Sequence, residues 1–434
     1  MAAETDATVG TAGSGLTGSR TTVFRRLRGD AIRRLGWGVA DQVVSSVTNF
    51  AVSIYVVRTL GAVQFGAFGL AYVTYGFALN ASRGLATDPL MVRFSGTDLP
   101  TWRRAVMNCT GTAVSVGFVV GALVLAVAAV LDGAARAAFF ALGLTLPGLL
   151  LQDSWRFSFF AIGRGGHAFL NDTVWAVTLL PALVLLRQTG HADVFWFVFA
   201  WGATGAIGAA IGPLQARVTP RLAGVWVWML RHRDLGPRYL LEGISNSGAT
   251  QLRSYGISLI LGLASLGSVL AVSTLFGPIT ILYFGMSLIT IPEAARVLRR
   301  SPRHLPLFCL LVSGGLGVAA LIWGIVLLVV VPRGFGDWLL GPIWRPTYPL
   351  VVPWMLYVIG MAIGFGVGVG LHALGVARRS LRTAVVSSVL QVVFALAGAL
   401  AAGAAGTVWG MAVAAWISAV YGWWQLRAAH RGSG

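Results

Sequence analysis

The feature that most limits the folds open to this chain is a succession of apolar runs. Each is about 20 residues long, almost free of charge, and separated from the next by a short connection, most of which bear arginine. No period-2 alternation runs through them, so the runs read as helices rather than strands. Twelve spans are predicted: 37–57, 66–87, 105–131, 137–160, 169–187, 194–216, 239–263, 267–290, 305–331, 349–371, 383–402 and 406–426. Only 11% of the 434 residues are charged, 56% are hydrophobic, and the mean hydropathy is +0.78. A soluble domain carries about 25% charged residues, so this chain lacks the means to cover itself with water-facing surface. The expectation is an all-α membrane protein, because in lipid only helices and closed barrels satisfy the backbone.

The second half of the chain echoes the first. Leu60-Gly61 with Gly66 recurs as Leu261-Gly262 with Gly267, Pro89 and Arg93 recur as Pro292 and Arg296, and Cys109 and Gly117 as Cys309 and Gly317. A period of half the chain predicts two six-helix pseudo-repeats, a layout common among transporters. The expected organisation is a disordered basic tail (1–36), an N-terminal bundle (37–216), an interfacial linker (217–238), a C-terminal bundle (239–426) and a short tail (427–434).

The net charge of +18 would suggest nucleic acid in a soluble protein. Here no soluble domain exists to carry a nucleic-acid surface, and no such partner is expected. Every basic residue is Arg, and most fall in alternate connections, among them the Arg20–Arg34 cluster, Arg103, Arg104, Arg231, Arg233 and Arg299. That asymmetry is the positive-inside pattern and predicts a multi-pass cell-membrane protein with both termini cytoplasmic. Arg20–Arg34, interleaved with Val23, Phe24, Leu27 and Ile32, reads either as a basic amphipathic segment on an anionic leaflet or as a solvated topogenic cluster. In the linker, Trp226, Trp228 and Met229 beside Arg231 predict an interfacial helix. Cys109 and Cys309 both fall near predicted cytoplasmic ends, which argues against a disulfide framework.

Polar residues inside apolar spans are costly and so informative. In the first span Asp41, Ser45, Asn49 and Ser53 follow one another at steps of four and share a helix face; in the seventh, Glu242, Asn246, Thr250 and Arg253 repeat the pattern. Two repeat-related helices with wet stripes point to a water-filled cleft between the halves; polar contacts gluing helices together are the structural alternative. The second span adds Asn80, Arg83 and Thr87, followed by Asp88, and the fourth adds Asp153 and Arg156, three apart and able to pair. Asp172 and Glu293 fall near predicted helix ends, where capping accounts for them. No phosphate-binding loop or metal-ligand spacing is present, so neither an enzyme nor a bound cofactor is expected.

The stretch Asp41-Gln42-Val43-Val44-Ser45-Ser46, then Asn49-Phe50, then Arg58-Thr59-Leu60-Gly61 with Phe65-Gly66 and Phe68, resembles the opening of polysaccharide biosynthesis transporters. These are Wzx-type flippases of the multidrug/oligosaccharidyl-lipid/polysaccharide (MOP) exporter superfamily. The resemblance implies a V-shaped, MATE-like pair of six-helix bundles with the first, second, seventh and eighth helices lining the cleft. It also implies transfer of an undecaprenyl-pyrophosphate-linked oligosaccharide from the inner to the outer leaflet. Membrane lipids, that substrate and other polysaccharide-assembly proteins would be its partners. The polar stripes then supply the candidate site. Asn49, Asn80, Arg83, Arg156, Asn246 and Arg253 are the expected substrate contacts, the arginines for the pyrophosphate and the amides for sugar hydroxyls. Asp41, Asp88, Asp153 and Glu242 are the carboxylates that could couple transport to protons or sodium. A MATE-like small-molecule exporter is the nearest rival. A membrane glycan polymerase or ligase is the rival of another class; the loop Pro332–Tyr348 offers it only Arg333, Asp337 and Arg345.

Overall fold

The computed structural model describes residues 15–329 and 335–431, with side chains at Trp37 and at most positions from Val44 onward. The side chains of Asp41, Glu242 and Asn246, and Arg333 as a whole, lie outside the described residues. The described chain is helical almost throughout, with no strand. Among the described residues nine continuous helices are long and apolar enough to cross a membrane, or ten when the bent helix Gly277–Arg300 is counted. Three of those nine, Val44–Phe94, Ser247–Leu275 and Arg378–Arg431, each contain a backbone break, and the piece after Gly262 runs on past a turn at Phe276 to Arg300, so the described trace resolves into twelve rods. In order they are α1 (15–60), α2 (62–94), α3 (Leu99–Val130), α4 (Gly133–Ala161), α5 (Gly165–Gln188) and α6 (Val194–Ala216). The second set is α7 (236–261), α8 (263–300), α9 (Leu305–Val329), α10 (Val351–Ala373), α11 (377–401) and α12 (404–431).

The breaks display the repeat. α1 gives way to α2 at Gly61, with φ 74° and ψ 177°, and α7 gives way to α8 at Gly262, with φ 79° and ψ 173°. Both angles lie in territory that a side chain on Cα would obstruct, so the Leu-Gly echo in the sequence is a pair of turns that need glycine. Five residues beyond each turn, the same pairs make the tightest contact between the halves. A Cβ on Gly66 would overlap the Leu263 carbonyl oxygen, and a Cβ on Gly267 would overlap the carbonyl oxygen of Ala62. The crossing is reciprocal, as a pseudo-two-fold axis requires.

From that crossing α2 runs along α7. Thr74 Oγ1 meets Tyr255 OH at 2.7 Å, Asn80 Nδ2 donates to Ser247 Oγ at 2.6 Å, and a Cβ on Gly84 would come within 2.6 Å of Leu240 N. The repeat-related pair, α1 and α8, does not close in this way. The two helices stand on either side of a cavity.

Three local readings differ from the sequence expectation. The basic segment expected to be a disordered tail is helical from Gly15 and continuous with α1, because arginines alternate there with residues able to form an apolar stripe. The connection before α10 is folded: short helices Phe335–Leu340 and Trp344–Thr347 bury Leu340, Ile343 and Trp344, and the Arg58 guanidinium lies 5.2 Å over the Trp338 ring. That packing leaves the loop structural work to do. The last helix continues to Arg431, so most of the expected C-terminal tail is ordered. The linker does contain the helix Val225–Arg231, with Trp226 exposed and Trp228 buried in the N-terminal half. Trp228 Nε1 donates to the Leu85 carbonyl at 3.1 Å and ties the linker to α2.

Candidate functional site

A cavity of about 830 Å³ lies between the halves. Its wall is aromatic: Phe50 from α1, Phe68 and Tyr72 from α2, Trp201 from α6, Tyr283 from α8, and Trp354 and Tyr357 from α10. Hydroxyls interleave with the rings at Ser46 and Ser53 on α1 and at Thr274, Thr280 and Ser287 on α8, with the Asn49 amide among them. The first polar stripe therefore does face the chamber through Asn49 and Ser53. None of the described lining residues is charged. Trp201 is fixed by Tyr75, whose ring meets it edge-on at 4.9 Å, so part of the wall is a packed aromatic cluster.

The charged candidates whose side chains are described, Arg83, Asp88, Asp153, Arg156 and Arg253, do not line this chamber, and three of them are held in ion pairs. Arg83 makes a bidentate pair with Asp153, Nε to Oδ2 at 2.9 Å and Nη2 to Oδ1 at 2.6 Å. Phe157 stacks beneath the guanidinium at 4.7 Å. Arg156 is 3.5 Å from Asp172, whose other oxygen accepts from Gln152 at 2.6 Å. The local Asp153–Arg156 pair expected from their spacing is thus replaced by two pairs between helices. Both partners come from neighbouring helices: Arg83 on α2 takes Asp153, and Asp172 on α5 takes Arg156. Asp172, expected to be a simple helix-end residue, is 6% exposed and half of an ion pair.

Asn80, Arg83 and Asp88 line a second, smaller pocket of about 350 Å³ together with Tyr239 and Gly243. Arg83 lies 11 residues beyond Tyr72, about three turns of helix, and so on the same face. A π turn at Arg83–Thr87 leads into Asp88. Electrostatically this pocket is not an anion site, since Asp153 already satisfies Arg83 and Asp88 adds a second negative charge.

Arg253 differs from the other two arginines. Its Nη1 donates to Gln391 Oε1 at 3.1 Å, and among the described residues it has no carboxylate partner. The same Gln391 oxygen accepts from Tyr357 OH at 3.3 Å, while Gln391 Nε2 approaches Met361 Sδ at 3.7 Å. Tyr357 and Met361 both line the chamber, so a single amide separates an unneutralised cation from the chamber wall. Sequence reasoning missed Gln391 and the aromatic wall. Neither forms a stripe on one helix; they gather only when α1, α2, α6, α8, α10 and α11 meet.

Solved structures place this geometry among known folds. An inward-facing conformation of a multidrug resistance MATE family transporter of the MOP superfamily aligns with a TM-score of 0.67 at 15% identity, over 93% of this chain and 98% of that one. The fold is that of the MOP-superfamily transporters. The lipid II flippase MurJ in an inward closed conformation aligns at 0.65 with 10% identity, over 91% of this chain and 87% of its own. A MOP superfamily transporter from Pyrococcus furiosus aligns at 0.56 with 16% identity, over 93% and 96%. No family model matches the chain, and no curated protein matches it in sequence.

Proposed function

We propose that the protein is an alternating-access flippase for a lipid-linked oligosaccharide, with the head-group sugars in the aromatic chamber and the pyrophosphate beside Arg253. One observation carries the reading: an uncharged wall of rings and hydroxyls, joined through Gln391 to the one mid-helix arginine among Arg83, Arg156 and Arg253 for which no counterion is described. Sugar rings present C–H faces that stack on aromatic side chains, and their hydroxyls pair with Ser, Thr and Asn. A diphosphate needs a cation that is not already paired. The chamber volume is near the upper end of small-molecule sites, about 300–1,000 Å³, which suits a short glycan and leaves the polyprenyl tail in lipid. The resemblance of Asp41 to Phe68 to Wzx-type transporters supports the same cargo. MurJ, named as a lipid II flippase, lends further support through the shared fold. Asp88, Asp153, Asp41 and Glu242 remain the proposed coupling carboxylates, for protons or sodium.

The second reading, a MATE-like exporter of small molecules, is favoured by the likeness to the inward-facing MATE transporter. An apolar aromatic chamber would also take a drug. What disfavours a cationic drug is the wall itself, which offers no described carboxylate. The deciding experiment places purified protein in liposomes with a fluorescent undecaprenyl-pyrophosphate-linked saccharide in one assay and a cationic dye in another. Translocation of the lipid without dye transport supports the flippase. Dye transport with no lipid movement overturns it.

A further inference from the structure

We infer that Gln391 is a specificity-determining residue that sets the charge of the cargo. Its neutral side chain accepts the Arg253 hydrogen bond without cancelling the charge. This inference rests on the proposed reading of Arg253 as the phosphate contact.

The two halves treat their arginines differently. In the N-terminal half, α4 and α5 supply carboxylates, Asp153 for Arg83 and Asp172 for Arg156. Counting six helices onward from α5 reaches α11, and there the acceptor for Arg253 is an amide. An amide oxygen positions a guanidinium about as well as a carboxylate oxygen does, but leaves its positive charge for another anion.

Gln391 is also connected in a way that a simple packing residue is not. Its oxygen is shared by Arg253 on α7 and by Tyr357 on α10, and its NH₂ donates to Ser387 Oγ at 3.2 Å one turn away on α11. That last bond orients the amide, because Oε1 must then face Arg253 and Tyr357. The result is a cation held a fixed step behind the chamber wall and, among the described residues, not spent on a carboxylate. Replacing the amide with a carboxylate would turn this cluster into a copy of the Arg83–Asp153 pair.

The experiment measures binding to the full-length protein in detergent by native mass spectrometry. The probes are geranylgeranyl diphosphate and the neutral alcohol geranylgeraniol. Q391E is expected to weaken diphosphate binding about tenfold or more, as loss of a charge-assisted contact does, and to shift alcohol binding less than about twofold. Q391M, which removes the acceptor and adds no charge, should cost diphosphate binding only about threefold and keep its preference over the alcohol. In the double variant Q391E/R253Q the carboxylate loses its counterion, so the diphosphate should bind no more tightly than in Q391E. Should Q391E fail to reach the membrane, Ser387→Asp delivers a carboxylate to the same cluster and is read the same way. If R253Q abolishes the diphosphate preference while Q391E keeps it, the role of Gln391 is overturned and the reading of Arg253 stands. Equal loss in Q391M and Q391E likewise overturns the charge argument. If R253Q binds both probes as the parent does, the anion reading of the site fails with it.

Discussion

The N-terminal and C-terminal halves share turns, crossings and helix order, yet they differ in how they handle charge. Arg83 and Arg156 each reach a carboxylate on a neighbouring helix, and the acidic partners are both only 6% exposed on the side chain. Arg253 reaches an amide. A buried ion pair costs nearly as much in desolvation as it returns in attraction, so the N-terminal pairs are better understood as fixing helix positions than as adding stability. Arg253, which has no carboxylate partner among the described residues, is where we propose that an anion binds. On that proposal, a duplicated framework keeps its geometry while one copy serves as a frame and the other as a binding surface.

That contrast can be broken experimentally, and the largest effect is expected in the N-terminal half. Asp153→Asn should destabilise the protein in detergent by about 3 kcal/mol, the lower end for stranding a buried charge, since the Arg83 side chain keeps 29% exposure. Thermal unfolding of the purified protein checks it. The double variant Arg83→Gln with Asp153→Asn should recover most of the loss. A mild Asp153→Asn would mean that Arg83 has another counterion and that the halves differ less than claimed.

The crossing between halves comes next. Gly66→Ala and Gly267→Ala should each cost about 1–3 kcal/mol, because the added methyl meets a backbone carbonyl that has no rotamer to escape into. Their equality is the sharper outcome, since it tests the symmetry of the contact. Gly364→Ala, with open space around the site, serves as the control. Arg253→Gln should change thermal stability by less than about 1.5 kcal/mol, the scale of one hydrogen bond to a charged group, while phosphate-probe binding falls. A stability loss as large as that of Asp153→Asn would make Arg253 structural and remove the contrast.

The smallest effect concerns the linker, which is hydrogen-bonded to the N-terminal half through Trp228, Arg231 and Asp234. His232 is buried against Trp228 and Phe94, and its Nδ1–H donates to the Trp228 carbonyl at 2.9 Å, leaving Nε2 with no described partner. Burial, with Arg93 and Arg231 nearby, pushes its pKa below the ordinary 6.5. The unfolded chain therefore binds a proton before the folded one does, so stability falls as pH drops below about 6.5 and levels off beneath the folded value. His232→Gln should flatten that part of a melting-temperature profile. An unchanged slope would place the titration elsewhere.

The contrast between halves also marks what a sequence can carry. Gly61 and Gly262 were legible because a positive-φ turn leaves a one-residue signature, and the run of long apolar helices was legible because the transfer of apolar surface to lipid is a local property. The ion pairs were not. Spacing along one helix suggested Asp153 with Arg156, whereas the true partner of Asp153 lies 70 residues earlier on another helix. Nor did any pattern announce the chamber, since Phe50, Trp201 and Trp354 are ordinary aromatics until three helices face one another.

The reciprocal crossing at Gly66 and Gly267 has a mechanical meaning. Two backbones in direct contact can turn about the contact but cannot slide, so the point behaves as the fulcrum of a lever. From Gly66 to Gly84 the arm of α2 is roughly 27 Å at 1.5 Å per residue. A rigid turn of about 15°, as subunits make in allosteric transitions, would swing its far end by roughly 7 Å and part Asn80 from Ser247 and Gly84 from Leu240. Spin labels at exposed Val92 and Leu241 would report that swing directly as a change in distance distribution. A side chain at the fulcrum would shift the pivot itself, and with it the opening at the other end of the arm.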